Sequence, residues 1–364
     1  MKKTNLIQIV SVIFFGLSIY AASAQQTILS SRLPVQGRAF SSAPRFHRVD
    51  TTKYRNLPPA VKKLYTHSAG LFTSFKSNTT KLSIAWETVD AELGNNATPI
   101  MSRGFDVYVK ESDGWHFAGV ARPDLDSAIS TSTMVEHMEN TEKEFLLYFP
   151  LYKELVDFKL LIDEGASFEP ITQSFDKKVV VYGSSIVHGA SASRPGLAYP
   201  AKLSRKLNAN VVNLGVSGSA RMEPAVADML NDIDAPDLIV MDCVPNSSPQ
   251  QVADRTFAFV QRLRQAHPNV PILLIESITR QVGNYNMQRK QRLADQNANF
   301  RKEYERLLAA GYKNLHYIAT DHLIGDDTEG TVDGTHPTDV GFERMVDIIQ
   351  PKMESILKTG KAEL

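Results

Sequence analysis

The sequence predicts an α/β C-terminal half, a five-stranded parallel doubly wound sheet, preceded by an all-β sandwich of jelly-roll type. Length, a change of hydrophobic period near Phe175 and a strand–helix rhythm after it support this reading. A chain of 364 residues exceeds one ordinary domain and accommodates two. Its 43% hydrophobic and 22% charged residues are globular proportions, so disorder is not the default.

Residues 1–24 read as a cleavable signal peptide. Lys2 and Lys3 precede an apolar stretch from Leu6 to Tyr20, and Ala22-Ser23-Ala24 offers the small residues of a cleavage site. The stretch is short for a spanning helix, which needs about 20 residues. The only cysteine is Cys243, so no lipid-anchoring cysteine stands at the cleavage site and no disulfide within the chain is available. A periplasmic or secreted location is expected, without stable membrane insertion. Residues 25–45, rich in Ser, Pro, Arg and Gln and lacking periodicity, read as a linker.

Residues 46–172 form the expected sandwich. Leu82, Ile84 and Trp86 alternate with polar neighbours, as do Phe105, Val107 and Val109. Apolar runs follow at Phe145 to Leu151 and at Phe158, Leu160 and Ile162. Period-two patterning broken by Gly94-Asn95-Asn96 and Asp113-Gly114 marks antiparallel strands and their turns.

Residues 173–364 form the expected second domain. Val179 to Val181, Val211-Val212, Leu238 to Val240, Ile272 to Ile275 and Leu315 to Ile318 are continuous apolar runs. Helical patterns follow them near 201–207, 225–230, 258–263, 288–310 and 340–357. Strands buried on both faces and separated by helices make a parallel sheet. In such sheets ligands bind beyond the carboxyl ends of the strands.

Lys plus Arg and Asp plus Glu are both 40, a net charge of zero, which argues against nucleic acid or an anionic membrane surface as partner. The chemistry stands instead at the strand ends: Gly183-Ser184-Ser185-Ile186, Asn213 to Gly218, Pro245-Asn246, and Asp333-Gly334-Thr335-His336-Pro337 before the last helix. Singly, each reads as a helix cap or a turn. Together they form a serine-hydrolase set. A serine hydroxyl needs a base to take its proton; His336 can serve Ser185, and Asp333 can fix the imidazole tautomer. The backbone N–H groups of Ser185 and Gly218 and the side-chain amide of Asn246 could face an oxyanion. No cofactor is implied, and no clustered metal ligands stand out.

These blocks resemble the SGNH (GDSL-like) hydrolase family over residues 176–360 or so. The usual Gly-Asp-Ser-Leu reads Gly183-Ser184-Ser185-Ile186, with Ser184 in place of Asp. Asn213 and Gly218 match the second block. The third, commonly Gly-x-Asn-Asp, is reduced to Pro245-Asn246, and the fourth, Asp-x-x-His-Pro, is complete. Gly104-Phe105-Asp106-Val107-Tyr108 is similar to the Gly-x-Asp-Leu-Tyr motif of a bacterial subgroup with an N-terminal β-sandwich. The resemblance implies a flavodoxin-like five-stranded sheet and an acyl-serine mechanism. A Gly-x-Ser-x-Gly elbow is absent, since residue 187 is Val.

Other tempting residues read as structure. Cys243 reads as a buried thiol, Trp86 and Trp115 as packing, and His267, His316 and His322 as surface or packing groups. The charged stretch from Arg289 to Arg306 reads as a solvated helix face. His188, three residues past Ser185, is a candidate substrate contact. The leading expectation is hydrolysis of short acyl esters, acetyl foremost, on carbohydrates. The polar segments Gly189–Ala198 and Gln281–Met287, expected rim loops, offer no greasy acyl groove. A lipase, lysophospholipase or thioesterase is the enzymatic alternative; a glycan-binding pseudo-hydrolase is the non-enzymatic one.

Overall fold

The structure, a computed structural model, describes residues 25–359; the expected signal peptide lies outside the described residues. The first half contains β1 (Gln25–Leu29), β2 (Phe72–Ser77), β3 (Leu82–Thr88), β4 (Phe105–Glu111), β5 (Gly114–Ala121), β6 (Ile129–Val135), β7 (Lys143–Tyr148), β8 (Leu155–Asp163) and β9 (Glu169–Ile171). They form antiparallel sheets of order β1-β8-β3-β6 and β5-β4-β7-β2-β9. Eight strands split in this alternating way make a jelly roll, to which β9 adds an edge. Alternation puts Leu82, Ile84 and Trp86 of one sheet against Phe105 and Val107 of the other. The Trp86 ring meets that of Phe105 edge-on at 5.5 Å, and its Nε1 donates to the Arg103 carbonyl at 2.8 Å.

The expected linker over 25–45 is corrected. Gln25–Leu29 pairs antiparallel with β8 as an edge strand of the first sheet. Only Ile28 of its side chains is buried, so the segment shows too little alternation to be read as a strand. Beyond it Leu33 enters the same core, and Gln36 bridges to Phe72.

The second half follows the expected pattern. Strands β10 (Lys178–Gly183), β11 (Asn210–Gly215), β12 (Leu238–Asp242), β13 (Ile272–Ile275) and β14 (Leu315–Ile318) lie parallel in the order β11-β10-β12-β13-β14. Helices α1 (Pro59–Tyr65), α5 (Pro224–Asn231), α6 (Pro249–Ala266) and α7 (Met287–Ala309) cover one face, with Val180, Tyr182, Ile239 and Leu274 turned toward them. Helices α4 (Tyr199–Leu207) and α8 (Asp339–Thr359) cover the other, meeting Val179, Val181, Val240 and Leu273. Successive side chains thus enter opposite cores, which is why each strand carries a largely apolar run. The chain leaves β10 first to one side, for β11, and then to the other, for β12. That reversal opens a crevice at the carboxyl ends of these strands.

The two halves are latched together by the Gly104–Tyr108 motif. Asp106 is fully buried, lies 2.7 Å from Arg194 Nη1, and accepts the Gly196 amide at 3.0 Å. Tyr108 also takes a hydrogen bond from Arg194. Gly196 is required because a Cβ there would come within 2.6 Å of the Tyr108 hydroxyl oxygen. Burial pushes the Asp106 carboxyl upward against the pull of Arg194. Removing one partner of a buried pair strands the other, so Asp106→Ala is expected to cost about 3–5 kcal/mol of stability. Thermal denaturation checks this, and a change below about 1 kcal/mol would refute the latch.

Candidate active site

The first block, around Ser185, is shaped by close approach. Gly183 ends β10, where a Cβ would sit 2.1 Å from Val187 and 2.3 Å from the Asp242 carbonyl oxygen. Ser184 then caps the short helix α3 (Ser185–His188), its Oγ accepting the Ile186 amide at 3.3 Å. Asp and Ser cap helices comparably well, so the departure from Gly-Asp-Ser leaves the local fold intact. Gly189, at φ 106°, ends the helix in the left-handed conformation.

His336 reaches Ser185 from the loop before α8. Its Nε2 lies 2.9 Å from Ser185 Oγ and its Nδ1 2.8 Å from Asp333 Oδ2. The three-residue spacing closes on itself: Asp333 Oδ1 accepts the Thr335 amide at 3.0 Å and the His336 amide at 2.8 Å. The carboxylate therefore orients backbone and ring together. Burial works to raise the Asp333 carboxyl, but hydrogen bonds from the His336 amide and ring and from Asn96 outweigh it and hold it at about 2. Asp333 is then an anion throughout the neutral range, and the proton between it and the ring belongs to Nδ1. Nε2 is left as the acceptor facing the serine hydroxyl.

The second and third blocks stand beside the serine on the next two strands. Gly218 adopts φ 70°, open to glycine at no cost. Asn246 ends a 3-10 turn (Val244–Asn246) and accepts the Ala220 amide on Oδ1 at 3.1 Å. That contact commits the oxygen and leaves the side-chain N–H groups as donors. Asn213 is buried and spends its side chain on the Val187 carbonyl, at 2.7 Å, and the Gly215 amide, at 2.9 Å. Its role is to tie α3 to β11.

Several supporting residues carry no signal in the sequence. Arg48, fully buried, donates to the carbonyls of Gly215 at 2.7 Å, Asn213 at 3.2 Å, His67 at 3.0 Å and Leu64 at 2.6 Å, bracing the second block from behind. Burial pulls its guanidinium down to about 10. Arg280 donates to the Pro245 carbonyl at 2.9 Å, and Gln296 donates to those of Val244 and Ser247, fixing the third block. Asn96, from the sandwich, touches both Asp333 and His336.

His188 is corrected: it is fully buried, with Nε2 2.6 Å from the Leu151 carbonyl oxygen and its ring stacked on Tyr152 at 4.3 Å. It presents no exposed surface. Gly189–Ala198 is not an open rim either, being largely buried between the sandwich and the catalytic sheet. Gln281–Met287 is a rim, and it carries exposed apolar groups in Val282, Met287 and Tyr285, the last 97% exposed. Cys243 is buried and its thiol is pushed up by burial; Trp86 and His267 are buried packing groups.

The chain has known counterparts. The profile of the GDSL-like lipase/acylhydrolase family matches residues 176–354, and that of the N-terminus of SGNH-hydrolase-type esterases, the GxDLY region, matches 25–168. A solved structure from Bacteroides ovatus, named for its likeness to GDSL lipases, is 44% identical, spans 92% of this chain and 98% of its own, and superposes with a TM-score of 0.89. The chain belongs to the GDSL-like lipase/acylhydrolase family. As a member it is an ester-hydrolysing enzyme, and the expected Gly-x-Asp-Leu-Tyr subgroup is the right one. Two more distant structures share its fold. A salicylyl-acyltransferase from a tetracycline biosynthetic pathway is 19% identical, with a TM-score of 0.71 over 91% of this chain and 97% of its own. A family two carbohydrate esterase from Cellvibrio japonicus is 14% identical, with a TM-score of 0.61 over 92% of this chain and 98% of its own. No curated protein matches the chain.

Proposed function

We propose that this GDSL-like enzyme is an exported serine esterase that removes short acyl groups, acetyl foremost, from carbohydrates. The observation that carries the catalytic part is the continuous relay Ser185 Oγ, His336 Nε2, His336 Nδ1, Asp333 Oδ2, with steps of 2.9 and 2.8 Å. Ser185 attacks the ester carbonyl while Nε2 takes its proton, and Asp333 stabilises the imidazolium. The oxyanion meets the amides of Ser185 and Gly218 and the side-chain amide of Asn246. His336 then protonates the leaving alkoxide, and a water molecule activated by the same ring hydrolyses the acyl-Ser185 bond. An intact relay speaks against a glycan-binding pseudo-hydrolase.

For the substrate, support comes from the signal-like N-terminus and from fold likeness to a carbohydrate esterase. A second reading, longer acyl chains, draws on the exposed Val282, Tyr285 and Met287, because Val282 adjoins the histidine loop, its N–H donating to the Gly334 carbonyl at 2.9 Å. Burying each methylene of an acyl chain on such a surface yields about 0.8 kcal/mol, roughly a fourfold gain in kcat/KM. Acetyl, butyryl and octanoyl p-nitrophenyl esters separate the readings. The acetyl ester is expected to give the highest kcat/KM; a steady rise toward octanoyl would give the case to the longer-chain reading.

A further inference from the structure

We infer that Asn96, a residue of the sandwich domain, is a positioning residue of the catalytic relay. The inference rests on the relay proposed above. Asn96 sits in the turn between β3 and the helix α2 (Pro99–Arg103), far from the four sequence blocks, and its Nδ2 lies 3.1 Å from both Asp333 Oδ2 and His336 Nδ1. With the Nδ1 proton directed at the carboxylate, only Asp333 Oδ2 can accept from the amide. Asp333 then receives four donors: the Thr335 and His336 amides on Oδ1, and the His336 ring and Asn96 on Oδ2. The carboxylate is only partly sheltered, so the Asn96 amide occupies an edge that water would otherwise take. A carboxylate held from both oxygens cannot swing away from the ring, and the ring cannot tilt away from Ser185.

The seat of Asn96 does not depend on its side chain. Its carbonyl accepts Ser191 Oγ at 3.0 Å, and Thr98 Oγ1 donates to the Ser193 carbonyl at 2.7 Å. The turn is thus pinned to the segment following the nucleophile helix, and replacing the amide leaves those anchors in place. The sandwich in this arrangement supplies part of the catalytic centre, and the SGNH domain's own residues leave one edge of Asp333 uncovered.

Steady-state kinetics of Asn96→Ala and Asn96→Asp on p-nitrophenyl acetate, across the pH range in which histidine titrates, test the inference. A hydrogen bond to a charged group corresponds to about 10- to 100-fold, so kcat of Asn96→Ala is expected to fall by that factor with KM within about twofold. Asn96→Asp places a second carboxylate beside Asp333, the charged group in contact with the ring, and favours the imidazolium. The acid limb of kcat/KM should move up by about one pH unit. An unmoved acid limb in a folded Asn96→Asp protein, or an undiminished kcat in Asn96→Ala, overturns the inference. Loss of activity in Ser185→Ala, measured alongside, shows that the relay itself stands; an active Ser185→Ala protein would locate the failure there and not at Asn96.

Discussion

Replacing Ser185 by alanine is expected to lower kcat for p-nitrophenyl acetate by on the order of 10⁶-fold, leaving only the residual rate that binding and the oxyanion donors supply. The hydroxyl is the atom that faces His336 Nε2, and no neighbour can substitute for it. Ser184 is the obvious rival, one residue away and equally polar. It is fully buried, its amide donates to the Asp242 carbonyl at 2.9 Å, and its Oγ accepts the Ile186 amide. A capping serine replaced by alanine costs helix stability of about 1 kcal/mol and leaves the reacting atoms in place. Ser184→Ala should therefore retain a substantial part of the activity. Acetate or nitrophenol release from both variants decides the register, and full activity in Ser185→Ala would remove the serine mechanism altogether.

The asymmetry between what the sequence reveals here and what it conceals follows from range. The parallel strands are legible because burial on both faces leaves them few polar positions, and the Asp333–His336 pair because four consecutive residues of one loop hold both groups. The sandwich strands β2, β4 and β7 are less regular. Their outer face is also covered, with Phe72, Tyr108, Leu146 and Tyr148 packed toward Ala201 of α4, so alternation is weakened, most of all in β2 and β7. β1 contributes a single inward residue and looks like a linker. Asn96 stands in Gly94-Asn95-Asn96, which local rules read as a turn; only a contact across 237 residues gives it another meaning. Arg48 and Arg280 resemble surface arginines in sequence, yet each is buried and spends its charge on backbone carbonyls. The polar run Gly189–Ala198 misleads in the same way: Ser191, Ser193 and Arg194 find their partners in the sandwich and in α8, so polarity there signals an interface and not an open rim.

The reduced third block makes Asn246 the sharpest test of how complete the catalytic centre is. Without the flanking Gly and Asp of the common motif, the asparagine is held by other means: Arg280 and Gln296 grip the carbonyls around it, and its own Oδ1 accepts the Ala220 amide. That grip leaves the side-chain N–H groups as donors, and loss of one oxyanion donor typically raises the barrier by about 2.7–4 kcal/mol. Asn246→Ala is accordingly expected to lower kcat by about 10²- to 10³-fold with little change in KM, because the interaction forms only as charge develops on the carbonyl oxygen. The same substitution also releases Ala220, so a loosened second block could mimic the effect. Asn246→Asp separates the two causes. It keeps an oxygen for the Ala220 amide but replaces the donor by a negative charge facing the developing oxyanion. If the amide is the donor, Asn246→Asp must lose at least as much kcat as Asn246→Ala. If the loop contact is what matters, Asn246→Asp should recover most of the activity, and the oxyanion would then rest on the Ser185 and Gly218 amides alone.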